Sequence, residues 1–380
     1  MPSQNNELYT MPVLTLIGKG CLGSLGVHMK ESGAGKALIV TDSFMCKSGV
    51  SDKVSDILNE QGIGTTVFNG VRANPTIRVV NAAINQFLSE SCDSLVSIGG
   101  GSAHDAAKAA RLMLVRGGYS KTKNVVLAAV NTTAGTASEM TKYCIVTDED
   151  KHHKLAIVNQ SVLPDIAVDD PELMIGMPPS LTAATGMDAL THAVEAYTAA
   201  GRNELTDCTA GKAAELVFKN LYNCYRNGYD IDAREKMAFA QYMAGMAFSN
   251  AGLGLVHAMS HQLSGLYDLP HGVCNAVLLP YVMEYNLDVN YKRYAMLAKQ
   301  AGVAVQGLPD RIAADRLIRE IKDLNAKLGI PKTLKELKVK EEDFGTLADM
   351  ALQDACLKAN SKPADKNEII KIYQTATKGV

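Results

Sequence analysis

Short apolar runs alternate with amphipathic stretches through the first half of the chain. Lys36 to Thr41 (KALIVT) reads as a buried strand. A helix follows over Val50 to Gln61, where Val54, Ile57 and Leu58 fall at i, i+3 and i+4. Thr65 to Phe68 is a second short strand, and Val79 to Ser89 a helix with Val80, Ile84 and Leu88 on one face. Ser94 to Ile98 is a strand, then come a glycine run, an Ala-rich helix from Ala103 to Leu114 and a strand over Asn124 to Val130. Strands alternating with helices predict a parallel sheet covered on both faces. The pattern changes at Met177-Pro178-Pro179. Ser180 is placed to cap a helix, and beyond it the chain is rich in Ala, Leu, Met and Glu with few β-branched runs. The expected organisation is an α/β domain over residues 1–180 and an all-α domain over residues 181–380.

Composition adds mainly exclusions. The 380 residues are 47% hydrophobic and 21% charged, with a formal net charge of −2, the balance of an ordinary globular protein. No basic block is present and Trp is absent, so nothing points to nucleic acid or to an anionic membrane. The longest apolar runs fall far short of the ~20 residues that span a bilayer. The opening Met-Pro-Ser-Gln-Asn-Asn lacks the basic start and apolar core of a signal peptide, so the expected location is cytoplasmic. Eight cysteines without a Cys-x-x-Cys pair exclude a zinc ribbon, and most are expected to be small buried hydrophobes. His152 and His153 sit in a charged stretch and read as solvated, as does the Lys/Glu-rich tract from Lys332 to Asp343.

The glycine run carries the first chemical signal. Gly99-Gly100-Gly101-Ser102 stands after a strand and before a helix, where free N–H groups and the positive end of the helix dipole suit a pyrophosphate. The Gly-x-Gly-x-x-Gly pattern is incomplete, because its last position is His104, and a plain tight turn is the competing reading. Asp42, at the end of the first buried strand, is placed to accept hydrogen bonds from ribose hydroxyls and to repel a 2′-phosphate, which favours NAD over NADP. It could equally cap a helix, and both roles are compatible. Thr132, Thr133 and Thr136, around Gly135 after another strand, form a polar cradle that would mean little by itself.

The second half holds a sharper pattern. Asp188 and His192 are four apart, as are His257 and His261, so each pair shares a helix face. His271 lies between Pro270 and Gly272, at a turn. One carboxylate with several imidazoles suits Fe²⁺ or Zn²⁺, and the lack of an evident thiolate favours an open catalytic site over a structural zinc. Position 258 is Ala, so the Glu of the His-Glu-x-x-His metalloprotease motif is missing. Five candidates stand for a site that needs about four ligands, and spacing does not choose among them.

Together these segments resemble one family, the iron-containing (group III) alcohol dehydrogenases. The resemblance rests on Gly99 to Lys108 (GGGSAHDAAK), Asn131 to Glu139 (NTTAGTASE), Leu181 to His192 (LTAATGMDALTH), Gly254 to Leu263 (GLVHAMSHQL) and Leu269 to Ala276 (LPHGVCNA), and it runs along nearly the whole chain. It implies a Rossmann-like α/β domain and a helical domain of the dehydroquinate synthase-like type, with the active site in the cleft between them. It implies Asp188, His192, His257 and His271 as metal ligands and His261 as a histidine lining the substrate cavity, a candidate proton shuttle. On the cofactor side it implies Gly99, Gly100, Gly101, Ser102 and Asp105 at the pyrophosphate turn, Asp42 at the ribose, Thr132, Thr133 and Thr136 near the nicotinamide, and the Asn74-Pro75 turn. It also implies a homodimer or larger homo-oligomer. The family's Asp-Tyr-Glu-Gly segment is missing here, where Gly118 to Lys123 runs almost straight into the next strand.

The expected activity is the NAD-dependent, iron-dependent interconversion of a short primary alcohol and its aldehyde, with zinc as the alternative metal. Ethanol, propanol, methanol, propanediols and lactaldehyde all fit. Two competing readings are a metal- and NAD-dependent lyase on the same scaffold and a non-catalytic paralogue.

Overall fold

The computed structural model describes residues 9–117, 125–150 and 153–379, with the side chains of residues 153 and 154 left aside. His152, the side chain of His153 and the shortened segment after Gly118 therefore lie outside the described residues. The first half runs β1 (Leu14–Ile17), α1 (Leu25–Glu31), β2 (Lys36–Asp42), α2 (Ser43–Lys47), α3 (Val50–Glu60), β3 (Gly64–Val71), α4 (Ile77–Ser89), β4 (Ser94–Gly99), α5 (Gly101–Arg116), β5 (Val126–Asn131), β6 (Tyr143–Asp148), β7 (His153–Val158) and β8 (Ile166–Asp169). Six strands form one parallel sheet in the order β1-β8-β5-β4-β2-β3, and β6 with β7 make a separate antiparallel pair.

Alternation explains why the sheet is covered on both sides. Leu38, Val40, Leu95 and Leu127 face one layer, with Val80, Ile84 and Phe87 of α4 and Ala103, Ala107 and Leu114 of α5. Ala37, Ile39, Val96, Ile98, Ala128 and Val130 face the other, with Leu25 and Met29 of α1 and Val54 and Leu58 of α3. Successive strand residues point to opposite faces, so a strand apolar at every position needs a helix layer on each side. Each such Val, Ile or Leu side chain contributes roughly 1.5–3 kcal/mol when fully buried.

The expected elements are present with shifted ends, and several others are new. β1 and β8 are four residues each, and the β6–β7 pair falls in a stretch for which the pattern suggested nothing. β1 lies at the sheet edge and pairs only with β8, which is why so short a segment suffices.

From Pro179 the structure is helical: α6 (Pro179–Thr198), α7 (Glu204–Arg226), α8 (Ile231–Ala251), α9 (Leu255–Tyr267), α10 (His271–Gln300), α11 (Asp310–Lys327), α12 (Phe344–Gln353) and α13 (Lys366–Lys378). Ser180 does not cap α6: the helix starts one residue earlier, with Pro179 in its first turn after an extended Pro178. Proline suits that place because its fixed φ matches a helix and its missing N–H would have no partner there. In the tract from Lys332 to Asp343, Leu334 and Val339 are buried, so the run is a surface segment pinned by two apolar anchors rather than a wholly solvated one. Of the eight cysteines, four are buried, three half-buried (Cys356 among them) and Cys208 is exposed, a more mixed set than expected, and all are free thiols. Among the described residues no helix is long and apolar enough to cross a membrane.

Candidate active site between the sheet and the helical half

The glycine turn lies where the strand order reverses. β2 sends the chain outward to β3, and the chain then returns to β4 on the other side of β2. In open parallel sheets the crevice beyond the strand C-termini at such a reversal is the usual ligand site. Asp42 ends β2 and Gly99 ends β4, so both flank that crevice. Gly99 has φ +143°, a conformation that favours glycine, and it turns the chain directly into α5. A Cβ on Gly100 would lie 3.0 Å from Thr133 Oγ1, and one on Gly101 3.2 Å from Thr136 Oγ1. The turn is thus packed against the threonine loop, where added side chains would force the threonines to shift, and the Ala103 and His104 N–H groups turn back to the Gly100 carbonyl, leaving those of Gly101 and Ser102 at the helix N-terminus, where an anion is favoured. His104 is fully buried, its Nδ1 2.8 Å from Ser97 Oγ, and burial lowers its pKa to about 3, so the ring is a neutral packing element under β4.

The other cofactor-side candidates divide. Asp42 Oδ1 accepts from the Phe44 and Met45 N–H groups at 2.8 and 2.9 Å, so it caps α2. Asp105 accepts from Ser138 Oγ at 2.8 Å and braces the threonine loop from α5. Thr133 N–H bonds Asn131 Oδ1 at 3.0 Å, which shapes the start of that loop. Asn74, with φ +54°, donates from Nδ2 to Asp268 Oδ1 at 3.1 Å and so links the first half to the end of α9.

Two glycines then join the cofactor side to the metal candidates. A Cβ on Gly135 would fall 2.6 Å from Thr185 Cβ, and one on Gly272 would fall 2.2 Å from the Ala184 carbonyl oxygen. The threonine loop and the start of α10 therefore both press on the same turn of α6, immediately before Asp188.

All five metal candidates come together. Asp188 Oδ1 lies 3.8 Å from His192 Nε2, 3.8 Å from His257 Nε2 and 3.7 Å from His271 Nε2. The ring of His261 stacks on His271 with centroids 5.2 Å apart and meets His257 edge-on at 5.8 Å. The side chains of Asp188, His192 and His257 are at most 5% exposed, whereas His271 is 33% exposed, so the cluster is closed at its back and open on one side. Phe248 stacks on His192 at 4.2 Å and helps to close the back.

A buried carboxylate ringed by imidazole nitrogens fits a divalent cation. Burial and the neighbouring imidazoles of His192 and His261 hold the His257 pKa well below its usual value, so its ring is neutral. His257 Nδ1 donates to Glu195 Oε2 at 2.5 Å, which leaves Nε2 unprotonated and aimed at Asp188. Glu195 also accepts from the Val256 N–H at 2.6 Å, and burial raises its pKa to about 7. The carboxylate–imidazole–metal arrangement is the common way to fix the ring and tautomer of a liganding histidine.

Sequence reasoning missed three neighbours. Glu195 continues the Asp188, His192 face of α6, and the i+3 step from His192 was a usable signal. Asn275, one turn after His271, donates from Nδ2 to Asp188 Oδ1 at 2.7 Å. Asp354 comes from after α12 and accepts from His261 Nδ1 at 2.8 Å, with no local signal to reveal it. The expectation of a single carboxylate and no nearby sulfur is corrected too: Asp354 and Cys356, a thiol whose pKa burial pushes well above its usual value, stand beside His261.

The structure thus sets the crevice at a parallel-sheet reversal against a helical half that carries a buried Asp/His cluster, the layout of an oxidoreductase of the alcohol dehydrogenase kind. The sequence matches the family model for iron-containing alcohol dehydrogenase over residues 12–171 and that for the C-terminal part of the Fe-containing alcohol dehydrogenase family over residues 182–377. It is similar to alcohol dehydrogenase 4 of Schizosaccharomyces pombe, at 45% identity over 97% of this chain and 88% of that protein. It is also similar to the NAD-dependent methanol dehydrogenase of Bacillus methanolicus, at 42% identity over 97% of this chain and 99% of that one. The solved structure of a 1,3-propanediol oxidoreductase superposes with a TM-score of 0.93 at 42% identity, covering 97% of this chain and 99% of that one. The chain belongs to the iron-containing alcohol dehydrogenase family.

Proposed function

We propose that the protein is an NAD-dependent alcohol dehydrogenase that interconverts short primary alcohols and aldehydes. The observation that carries this reading is Gly135 against Thr185, which sets the candidate nicotinamide loop on the helix that bears Asp188 and His192. Residues 1–180 would hold the dinucleotide and residues 181–380 the metal and substrate. A divalent cation at Asp188, His192, His257 and His271 supplies Lewis acidity toward the alcohol oxygen, and NAD supplies the hydride acceptor.

The chain's own residues do the rest. The Gly99–Ser102 turn and the α5 N-terminus bind pyrophosphate, with Asp105 bracing the loop opposite. Asp42 takes the ribose hydroxyls while still capping α2, and Asn74 borders the cofactor side. Thr132, Thr133 and Thr136 orient the nicotinamide end. Glu195 fixes His257. His261, on the open side of the cluster, is placed to receive the proton lost from the alcohol and to pass it toward solvent, with Asp354 holding its ring. Holding the reacting carbon and the nicotinamide in register is worth several kcal/mol, about what orientation supplies in such reactions.

Iron is proposed as the resident metal because the family is iron-containing, and zinc suits the same donors. The activities by which the relatives are named, on methanol, 1,3-propanediol and other alcohols, support a small-alcohol substrate. A homodimer or larger homo-oligomer and a cytoplasmic location complete the proposal. The test is NADH formation from a panel of short alcohols and propanediols, using enzyme purified without oxygen, stripped of metal and reloaded with Fe²⁺ or Zn²⁺. Return of activity only with metal supports the reading. Phosphate release from a sugar phosphate without NADH turnover would favour the lyase instead.

A further inference from the structure

Next to the Asp/His cluster lies a second set of donors of different chemistry. His261 projects from α9 one turn after His257. Asp354 directly follows α12 and caps the 3₁₀ turn Ala355–Ala359, its Oδ1 accepting from the Cys356 N–H at 2.9 Å. That cap fixes the Cys356 sulfur relative to the other carboxylate oxygen, Oδ2, which is 2.8 Å from His261 Nδ1. One nitrogen, one oxygen and one sulfur from these three residues lie within 4.8 Å of one another. With metal–N and metal–O bonds near 2.0–2.2 Å and a metal–S bond near 2.3 Å, tetrahedral ligands sit roughly 3.5 Å apart, so modest side-chain rotation closes the set.

The site is reachable. The His261 side chain is 23% exposed and that of Asp354 14%, and Cys356 is half-buried. Gln262 Nε2 donates to Asp354 Oδ2 at 3.3 Å and braces the carboxylate, leaving three protein ligands and an open position for water.

We propose that His261, Asp354 and Cys356 form a second divalent-cation site, selective for zinc-class ions through its thiolate, that shuts the first site when it fills. Thiolate, imidazole and carboxylate together favour Zn²⁺ or Co²⁺, whereas the Asp188, His192, His257 and His271 set offers only nitrogen and oxygen. Binding exchanges protons for the ion without any redox change. The Cys356 thiol proton leaves to solvent as the metal–sulfur bond forms, and the Nδ1 proton of His261 is replaced by the metal while Nε2 takes one up. A cation held there binds the imidazole that stacks on His271 at the open side of the first cluster, and it removes His261 from any part in proton transfer. Inhibition by excess zinc follows; this part rests on the proposed dehydrogenase activity, and the binding part does not.

Cobalt titration of metal-free protein tests it. The first equivalent should bring no thiolate-to-metal charge-transfer absorption in the near ultraviolet. The second should bring that band, saturating at two ions per chain. Cys356→Ala should bind one ion and lack the band, and Asp354→Asn should keep the band but need at least tenfold more cobalt. His257→Ala should weaken the first site and retain the band. Excess Zn²⁺ should inhibit the wild type at least tenfold more strongly than Cys356→Ala. A wild-type protein without a thiolate band at excess cobalt, or a band that persists in Cys356→Ala, overturns the proposal. A band in a protein with no metal-dependent dehydrogenase activity would uphold this site and refute the proposed function.

Discussion

Glu195 accepts from His257 Nδ1 at 2.5 Å and ties α6 to α9 at the back of the Asp/His cluster. Its two oxygens serve two donors, Val256 N–H and His257 Nδ1–H. A glutamine in its place would turn its own NH₂ toward one of them, leaving a buried donor unmatched at a cost of about 1–3 kcal/mol. Glu195→Gln is expected to lower metal affinity about 10- to 100-fold, the usual effect of losing such a partner, with NAD binding unchanged. Competition against a chromophoric chelator, alongside NAD binding by calorimetry, checks both halves.

Gly135→Ala probes the link between the two halves. The new methyl would sit 2.6 Å from Thr185 Cβ and 2.7 Å from the Thr185 carbonyl oxygen, so the threonine loop must move off α6. A displacement near 1 Å in a hydride-transfer site costs on the order of 100-fold in rate. Single-turnover NADH formation should fall by about that factor, while metal content per chain stays at the wild-type value.

Asp42→Asn separates charge from capping. The amide oxygen still accepts from Phe44 and Met45 N–H, so α2 keeps its cap and Tm should hardly change. Repulsion of a 2′-phosphate is lost, and the ratio of kcat/KM with NAD to that with NADP should drop at least tenfold. An unchanged ratio would remove Asp42 from the ribose.

A buried carboxyl pair gives the pH prediction. Gln241 Nε2 donates to Glu139 Oε1 at 2.8 Å and to Asp169 Oδ1 at 2.9 Å, and both acids are fully buried. Burial raises both pKa values, Asp169 further through the charge of Glu139, while Lys108 favours the single charge that remains. With one acid protonated, the pair is expected to carry a single charge. A carboxyl whose folded pKa is raised contributes stability that is complete below its unfolded value, near 3.8 for Asp, and is lost as pH rises through the folded value. Asp169→Asn supplies the donor permanently. Its Tm should match the wild type in acid and exceed it increasingly in alkali; parallel Tm curves would show that no proton is shared.

The strands apolar at every position and the helices with one apolar stripe were legible because burial on one or two faces writes directly into a period. The short β1 and β8 were not, since four residues between established neighbours carry too little pattern. At the site, Asp188 with His192 and His257 with His261 could be read from helical spacing, and the glycine turn from its place between a strand and a helix. Asp354 and Asn275 could not, because their meaning lies in which distant chain segment faces them. Asp42 was ambiguous between cap and ribose ligand for a physical reason: a carboxylate at a strand end has two oxygens, and both bonds to the cap use only one of them.

The most direct measurement is the metal content and turnover of His257→Ala beside the wild type, each stripped and reloaded with Fe²⁺ under nitrogen. One tightly held ion per wild-type chain, with loss of both the ion and alcohol-dependent NADH formation in the variant while NAD still binds, is the expected result. Undiminished turnover in a variant that holds no metal would contradict it.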